Sequence, residues 1–314
     1  MKHRLPATRP NLHGTYHRSN VPVLEVVSGD TISFETLEVG WRTERVVAGR
    51  PLQSVTDRDP VKDDGPALTG PVRVRGAMPG MTLEVRFLEF EPVGWGWTSA
   101  GGPRHRIPEL TGVREEKTSL FWDIDSEAGT VSNQLGQVVP FKPFLGCVGV
   151  ASEDSEREAG WYPHPRTGGN LDANLLTAGS SLFLPVEVEG ALLSVGDAHA
   201  AQGCGEVSGT AIECPMKRAE IQVVLHPERQ VRSPRAMCSE GWVTFGVSET
   251  LDQAAVEALE AMLDLVTEET TLSRSQAMAA LSPCLDLRVT QMVNPRKGVH
   301  AVLTVPLSSL GSCY

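Results

Sequence analysis

Clusters of basic residues are missing from this 314-residue sequence, whose formal net charge is −11. Nucleic acids and anionic membranes both require grouped Lys and Arg to neutralise phosphate, so neither is expected as a partner. Long apolar runs are missing as well. No stretch approaches the roughly 20 residues that cross a bilayer as a helix, and Met1-Lys2-His3-Arg4-Leu5-Pro6 lacks the apolar centre of a secretory signal. No C-x-x-C pair occurs among Cys147, Cys204, Cys214, Cys238, Cys284 and Cys313. That argues against a disulfide framework or a thiolate zinc site, and the expectation is a cytoplasmic protein with reduced thiols. Aromatics make up only 5% of the chain, whereas 30 Gly and 22 Pro supply many turns and therefore favour many short strands.

A hydrophobic content of 40% with 21% charged residues is that of a globular chain, long enough for one large domain or two ordinary ones. Val23 to Val27, a Ser28-Gly29-Asp30 turn and Thr31 to Thr36 read as paired strands. In the second strand Ile32 and Phe34 alternate with polar neighbours, as a half-buried strand requires. Val72 to Arg75, a turn at Met78-Pro79-Gly80 and Thr82 to Phe90 repeat the unit. Cys147 to Ala151, Ser181 to Val188 and Ile212 to Leu225 are also strand-like. Gln53 to Gly70 (acidic and exposed), Gly94 to Pro108 and Glu153 to Gly169 read as long loops, which are commonly functional or mobile.

The last third changes character. Thr250-Leu251-Asp252-Gln253 has capping-box spacing, with Val256, Leu259, Leu263 and Val266 on one helical face behind it. Ser273-Arg274-Ser275-Gln276 repeats the box before a short helix that must stop ahead of Pro283. Leu285 to Met292 and Val299 to Val305 read as closing strands. The class is α+β, predominantly β: a strand-rich, sandwich- or barrel-like body with a late helical hairpin and further strands. Residues 1–150 form a strand-rich N-terminal part and residues 151–314 a β-rich catalytic part ending in an α+β segment; the alternative is one intertwined domain.

Glycine and acid/base groups are densest from Gly196 to Glu213, directly after the apolar run Val188 to Val195. Asp197 and His199 therefore sit where a buried strand gives way to a Gly-rich loop. Alternate residues of an extended chain share a face, so Asp-x-His suits one metal ion held by a carboxylate oxygen and an imidazole nitrogen. Glycines let the backbone approach such a centre. Upstream, Asp172 is flanked by the amides Asn170 and Asn174. Taken alone, an Asp-x-His pair is more often an exposed pair or a capping group, Asp172 could cap a helix over residues 174–178, and Glu206 or Glu213 could be solvated. Cys147 reads as core, and His300 as a hydrogen-bonded core residue. Trp95, Trp97 and Trp161 could line a pocket mouth or fill gaps between subunits.

Longer motifs add a resemblance. Gly169-Asn170-Leu171-Asp172, Leu176 to Val186 and Glu189 to Gly203 resemble the signature of the acetamidase/formamidase family. Further matching stretches are Val27 to Thr31 with Glu35, Leu68-Thr69-Gly70-Pro71 with Gly76 and Gly80, Gly146 to Ala151, Gly209 to Glu213, Asp286 to Gln291 and Gly298 to Ala301. His13, Tyr16 and His17 resemble a His-x-x-aromatic-His element of the formamidase branch. The resemblance spans nearly the whole chain. It implies hydrolysis of small linear amides to a carboxylate and ammonia, a mostly β fold, a homo-oligomer and, as in some members, a divalent metal, zinc by preference with calcium as the alternative. Carried over position by position, it puts Asp172, Asp197 and His199 on the metal and Glu206, with His199 and Asp197, in catalysis. Asn170, Gln202 and Glu35 then fall on the substrate.

An ion so held would acidify water and polarise the amide carbonyl, while Glu206 shuttled the proton to the leaving nitrogen. A second route would use Cys204 as a thiolate nucleophile with His199 as its base. The sequence departs from the family pattern at Cys204, where an acid is usual, and at Pro66-Ala67, where a His-Pro pair is usual. These departures motivate the alternative function: a non-catalytic or repurposed member that binds an amide-like ligand or serves as an assembly subunit.

Overall fold

Period-2 alternation such as that at Ile32 and Phe34 builds the molecule's sheets, and both residues are fully buried. A computed structural model describes residues 1–45, 53–101, 110–113 and 118–311. The largest sheet runs in the order β1 (Lys2–Leu5), β4 (Thr31–Phe34), β15 (Met216–His226), β6 (Thr82–Pro92), β13 (Ser181–Pro185), β16 (Arg235–Cys238), β17 (Gly241–Ser248), β19 (Lys297–Leu303) and β18 (Leu285–Gln291). Strands from either side of residue 150 thus lie in one sheet.

A second sheet has the order β12 (Gly168–Asn170), β11 (Phe144–Gly149), β14 (Leu193–His199), β5 (Leu68–Val74) and β2 (Leu12–His13), with β3 (Leu24–Val26) parallel to β5. A third is made by β10 (Val138–Pro140), β9 (Thr130–Asn133), β8 (Thr118–Asp125) and β7 (Trp95–Ala100). Ile32, Phe87 and Ile221 of the first sheet share one apolar cluster with Val72, Leu145 and Val195 of the second. The β-dominated α+β class read from the sequence is the class observed.

Four local readings are corrected. Trp95 to Ala100 is strand β7, paired with β8, because Trp95 and Trp97 on alternate positions are both buried; residues 102–108 lie outside the described residues. The acidic segment from Gln53 is not wholly exposed: Asp63 is buried, its carboxylate accepting from Arg9 Nη2 at 2.5 Å. No helix follows Asp172, and residues 174–175 form a turn. The strand anticipated from Ile212 begins only at Met216, after Pro215. The five described cysteines are free; Cys313 lies outside the described residues.

The two α-helices of the C-terminal third start where the capping boxes predict. In α1 (Leu251–Glu269) the Thr250 hydroxyl accepts from Gln253 N–H at 3.2 Å; α2 (Arg274–Leu281) carries the full reciprocal box of Ser273 and Gln276. The buried stripe of α1 is Ala254, Ala258, Met262, Leu265 and Val266 with Leu263, whereas Val256 is 49% exposed. Small residues are selected because the helix lies directly on β17. A Cβ on Gly246 would stand 1.9 Å from Ala254 O and 2.6 Å from Ala258 N. Gly246→Ala is therefore expected to push α1 off the sheet and cost roughly 3 kcal/mol or more, read as a lower denaturation midpoint with an unchanged slope.

Two buried histidines set the acid limb of stability. His13 Nδ1 lies 2.8 Å from Thr15 O, an acceptor, so Nδ1 carries the proton and Nε2 accepts from Ser194 Oγ at 3.0 Å. Burial pushes the His13 pKa down to about 3 and that of His300 down to about 4. Each is neutral when folded but binds a proton near pH 6.5 when unfolded. Their contribution is present above pH 6.5 and is lost as pH falls towards 4 and below. His13→Gln, which keeps a donor and an acceptor without titrating, should lose less melting temperature between pH 7 and pH 5 than the unsubstituted protein.

Candidate active site

Strand β14 is buried along its whole length, and its last three residues build the centre of the site. Sequence patterning ended the strand at Val195; the ladder continues, with Gly196 opposite Leu68 and Cys147, and His199 opposite Phe144. Asp197 interrupts the extended geometry with φ 53°. Asp172 (φ 53°) and Glu206 (φ 48°) adopt the same left-handed conformation, which non-glycine residues rarely occupy and which concentrates at functional sites. Simple alternation therefore does not explain why Asp197 and His199 meet. The kink at Asp197 does.

His199 Nε2 stands 3.3 Å from Asp197 Oδ1 and 3.2 Å from Glu213 Oε2, all three residues buried. Only the Asp197 contact has hydrogen-bond geometry, so the single Nε2 proton points there. Phe144 holds the other side of the imidazole edge-on, with centroids 5.0 Å apart. Asp172 Oδ2 accepts from Asn294 Nδ2 at 2.9 Å, and Gln202 Nε2 donates to the Asp172 carbonyl at 2.9 Å. One ligand atom each from Asp172, Asp197 and His199 falls within 4.8 Å of the others, and the same holds for His199, Glu206 and Glu213. Gly146 on the adjacent strand leaves room for this convergence. A Cβ there would meet Asp172 Oδ1 at 2.6 Å and His199 Cε1 at 2.8 Å.

Four buried carboxylates around one imidazole carry an excess of negative charge that water cannot relieve. Burial, reinforced by the neighbouring acids, drives Asp172 and Glu206 well above the carboxylate range and raises Glu213 to about 7. Burial alone would depress His199, yet Glu213 and Asp197 together overcome it and raise its pKa well above 6.5. Protons thus do the work of a cation. Asp172 Oδ1, Glu206 Oε2, Glu213 Oε2 and His199 Nδ1 are buried without a hydrogen-bond partner. Buried polar atoms left without a partner normally have an explanation, an ion among them. Carboxylate oxygens with one imidazole and no thiolate form a donor set suited to a divalent ion.

Of the residues singled out from sequence, Asp172, Asp197, His199 and Glu206 are brought together. Gln202 braces Asp172, and Asn170 accepts from the Cys147 thiol at 3.0 Å while donating to Trp161 O at 3.2 Å. Glu35 is elsewhere, ion-paired to Arg4 at 2.6 Å beyond the end of β4, so it does not join the cluster. Cys204 is exposed and its sulfur accepts from Asn174 Nδ2 at 3.5 Å, while the His199 ring is engaged by Asp197. Cys147 is not simply core, because its sulfur also lies 3.7 Å from Asp197 Oδ2. Sequence reasoning missed Glu213, Cys147, Asn294 and Tyr16. Glu213, Cys147 and Tyr16, whose ring packs on Gly149 and Gly169, lay inside quoted motifs without being assigned to the site; Asn294 carried no local signal.

A strand-rich α+β scaffold whose central strand ends in a buried carboxylate–imidazole centre defines the class of protein. The match to the acetamidase/formamidase family model covers residues 1–159 and 155–309, and the chain belongs to that family. A Schizosaccharomyces pombe protein with a formamidase name is 28% identical over 255 residues, 64% of this chain and 60% of that protein. An acetamidase of Mycolicibacterium smegmatis is 28% identical over 197 residues, 45% of this chain and 48% of its own. The match thus spans about half to three-fifths of these relatives. Among solved structures, an acetamidase from Bacillus halodurans superposes with a TM-score of 0.83 at 31% identity, covering 96% of both chains. A predicted acetamidase/formamidase from Thermoanaerobacter tengcongensis gives 0.84 at 28%, covering 96% of this chain and 95% of that one. Among the described residues no helix is long and apolar enough to cross a membrane.

Proposed function

We propose that the chain hydrolyses a linear carboxamide to a carboxylate and ammonia at the cluster of Asp172, Asp197, His199, Glu206 and Glu213. The observation that carries this reading is the convergence of an imidazole and four carboxylates, with several oxygens left unpartnered, inside a member of an amidase family. An unactivated amide is a poor electrophile and ammonia a poor leaving group, so water must be activated, the carbonyl polarised and the nitrogen protonated. A divalent cation, zinc by preference, would be held by Asp172, Asp197 and His199 and would supply Lewis acidity for the first two tasks. Glu206 faces the open groove beside the cluster. From that position its carboxylate form takes the proton from water and returns it to the departing nitrogen. Asn294 and Gln202 hold Asp172 in place, and Asp197 fixes the tautomer and tilt of His199. The assembly is proposed to be a cytoplasmic homo-oligomer.

The test pairs elemental analysis with ammonia release from formamide, acetamide, propionamide and larger amides. The expected result is one tightly held divalent ion per chain and release of ammonia matched by the acid. Metal-loaded protein that releases none from any of them would instead be a binding member of the family.

A further inference from the structure

Between the third sheet and the 201–212 loop runs a groove of about 710 Å³. Its apolar wall comes from Leu120 and Trp122 of β8, Val139 of β10 and Ile212 of the loop. Gln202 and Glu206 line it too, and Glu206 belongs to the His199–Glu206–Glu213 group, so the groove opens onto the cluster. The wall is preformed: Trp122 is buried and donates its Nε1–H to Thr98 Oγ1 at 3.0 Å. On the polar side Ser99 N–H donates to Thr210 Oγ1 at 3.0 Å, and that hydroxyl donates to Ser99 O at 3.2 Å. Those groups satisfy one another. The unpartnered polar atoms, Gln202 Oε1 and Glu206 Oε2, belong to the two residues at the cluster end, and away from them the wall of Leu120, Trp122, Val139 and Ile212 is apolar.

The size is out of proportion to the smallest amides. At about 30 Å³ per water-sized group, the four non-hydrogen atoms of acetamide fill roughly a sixth of the groove. Its volume falls instead in the range of about 300–1,000 Å³ that encloses ligands of drug size. We infer, on the hydrolase reading above, that the substrate is a primary amide with a longer aliphatic or an aromatic acyl group. Its carboxamide sits at Glu206 and its apolar tail along Leu120, Trp122 and Val139. One C–N bond breaks and one C–O bond forms from water, giving the long-chain or aromatic carboxylate and ammonia, with no other reactant.

Ammonia release is measured across acetamide, butyramide, hexanamide and benzamide with the metal-loaded protein. The kcat/KM value is expected to rise about fourfold per buried methylene, hence on the order of 10²-fold from acetamide to hexanamide. Leu120→Asn and, as a second variant, Val139→Asn should each lower the hexanamide-to-acetamide ratio about tenfold or more, with melting temperatures checking that both fold. A flat or falling series overturns the inference, because a groove covered by another chain would leave only small amides reactive. If no amide reacts at all, the hydrolase reading falls by itself and calorimetry decides the groove. Hexanamide binding at least about tenfold tighter than acetamide sustains the apolar site; equal or absent binding overturns it.

Discussion

On the proposed metal-assisted reading, His199→Ala is expected to abolish cation binding and to lower kcat/KM by on the order of 10³-fold or more. The imidazole is the single nitrogen donor common to both candidate ligand groups, and its Nε2 is the point where Asp197 and Glu213 converge. Removing it leaves two buried carboxylates facing each other. Elemental analysis and ammonia release check both halves; a variant with full metal content and full turnover would contradict the assignment. Protons compete for the same donors. In the metal-free protein Glu213 titrates at about 7 rather than near its usual 4.5, because burial and Asp197 outweigh the attraction of His199. Its stabilising proton is fully present below pH 4.5 and lost as pH rises through 7. On the proposed metal-assisted reading a cation beside Glu213 takes over the role of that proton, so the rise in melting temperature on adding metal should be larger at pH 8 than at pH 5.

Gly146→Ala is the second large effect. The added methyl would stand 2.6 Å from Asp172 Oδ1, 2.8 Å from His199 Cε1 and 2.9 Å from Asp197 O. The last of these is backbone in the middle of a buried strand and cannot step aside cheaply. The ligands must therefore spread by several tenths of an ångström or more. Misplacement on that scale costs about 10²-fold in turnover, with weaker metal retention. A melt confirms that the variant is folded while kcat/KM and metal content are read. Unchanged values in both would show that the cluster tolerates expansion and that the close packing described above is not what holds its geometry.

The helices were legible to the residue at their starts, since Thr250 and Ser273 act through neighbours three positions on. The face of α1 was not, because Ala254 and Ala258 are buried for want of space above Gly246 rather than for hydrophobicity, and the bulkier Val256 is turned outwards. Asp172, Asp197, His199 and Glu206 could be named because they stand in motifs. Glu35 stands in a motif as well, yet its carboxylate belongs to Arg4, so motif membership does not fix where a side chain points. Asn294 comes 122 residues after its partner Asp172. Nothing near it in the chain marks it, and only the folded topology brings it to the site. Left-handed backbone at three acidic residues is likewise invisible to composition or period, because these side chains give no reason for it except the centre they build.

The order of strands in the largest sheet bears on how the chain is made. β1 pairs with β4, and β4 in turn needs β15, more than 180 residues further along. A ribosome therefore releases the first strands long before their neighbour exists, and their hydrogen-bonding edges stay open while some three-fifths of the polypeptide is synthesised. Pairings so distant in sequence close slowly. During translation the nascent N-terminal half is thus the part most exposed to wrong partners and most in need of a chaperone.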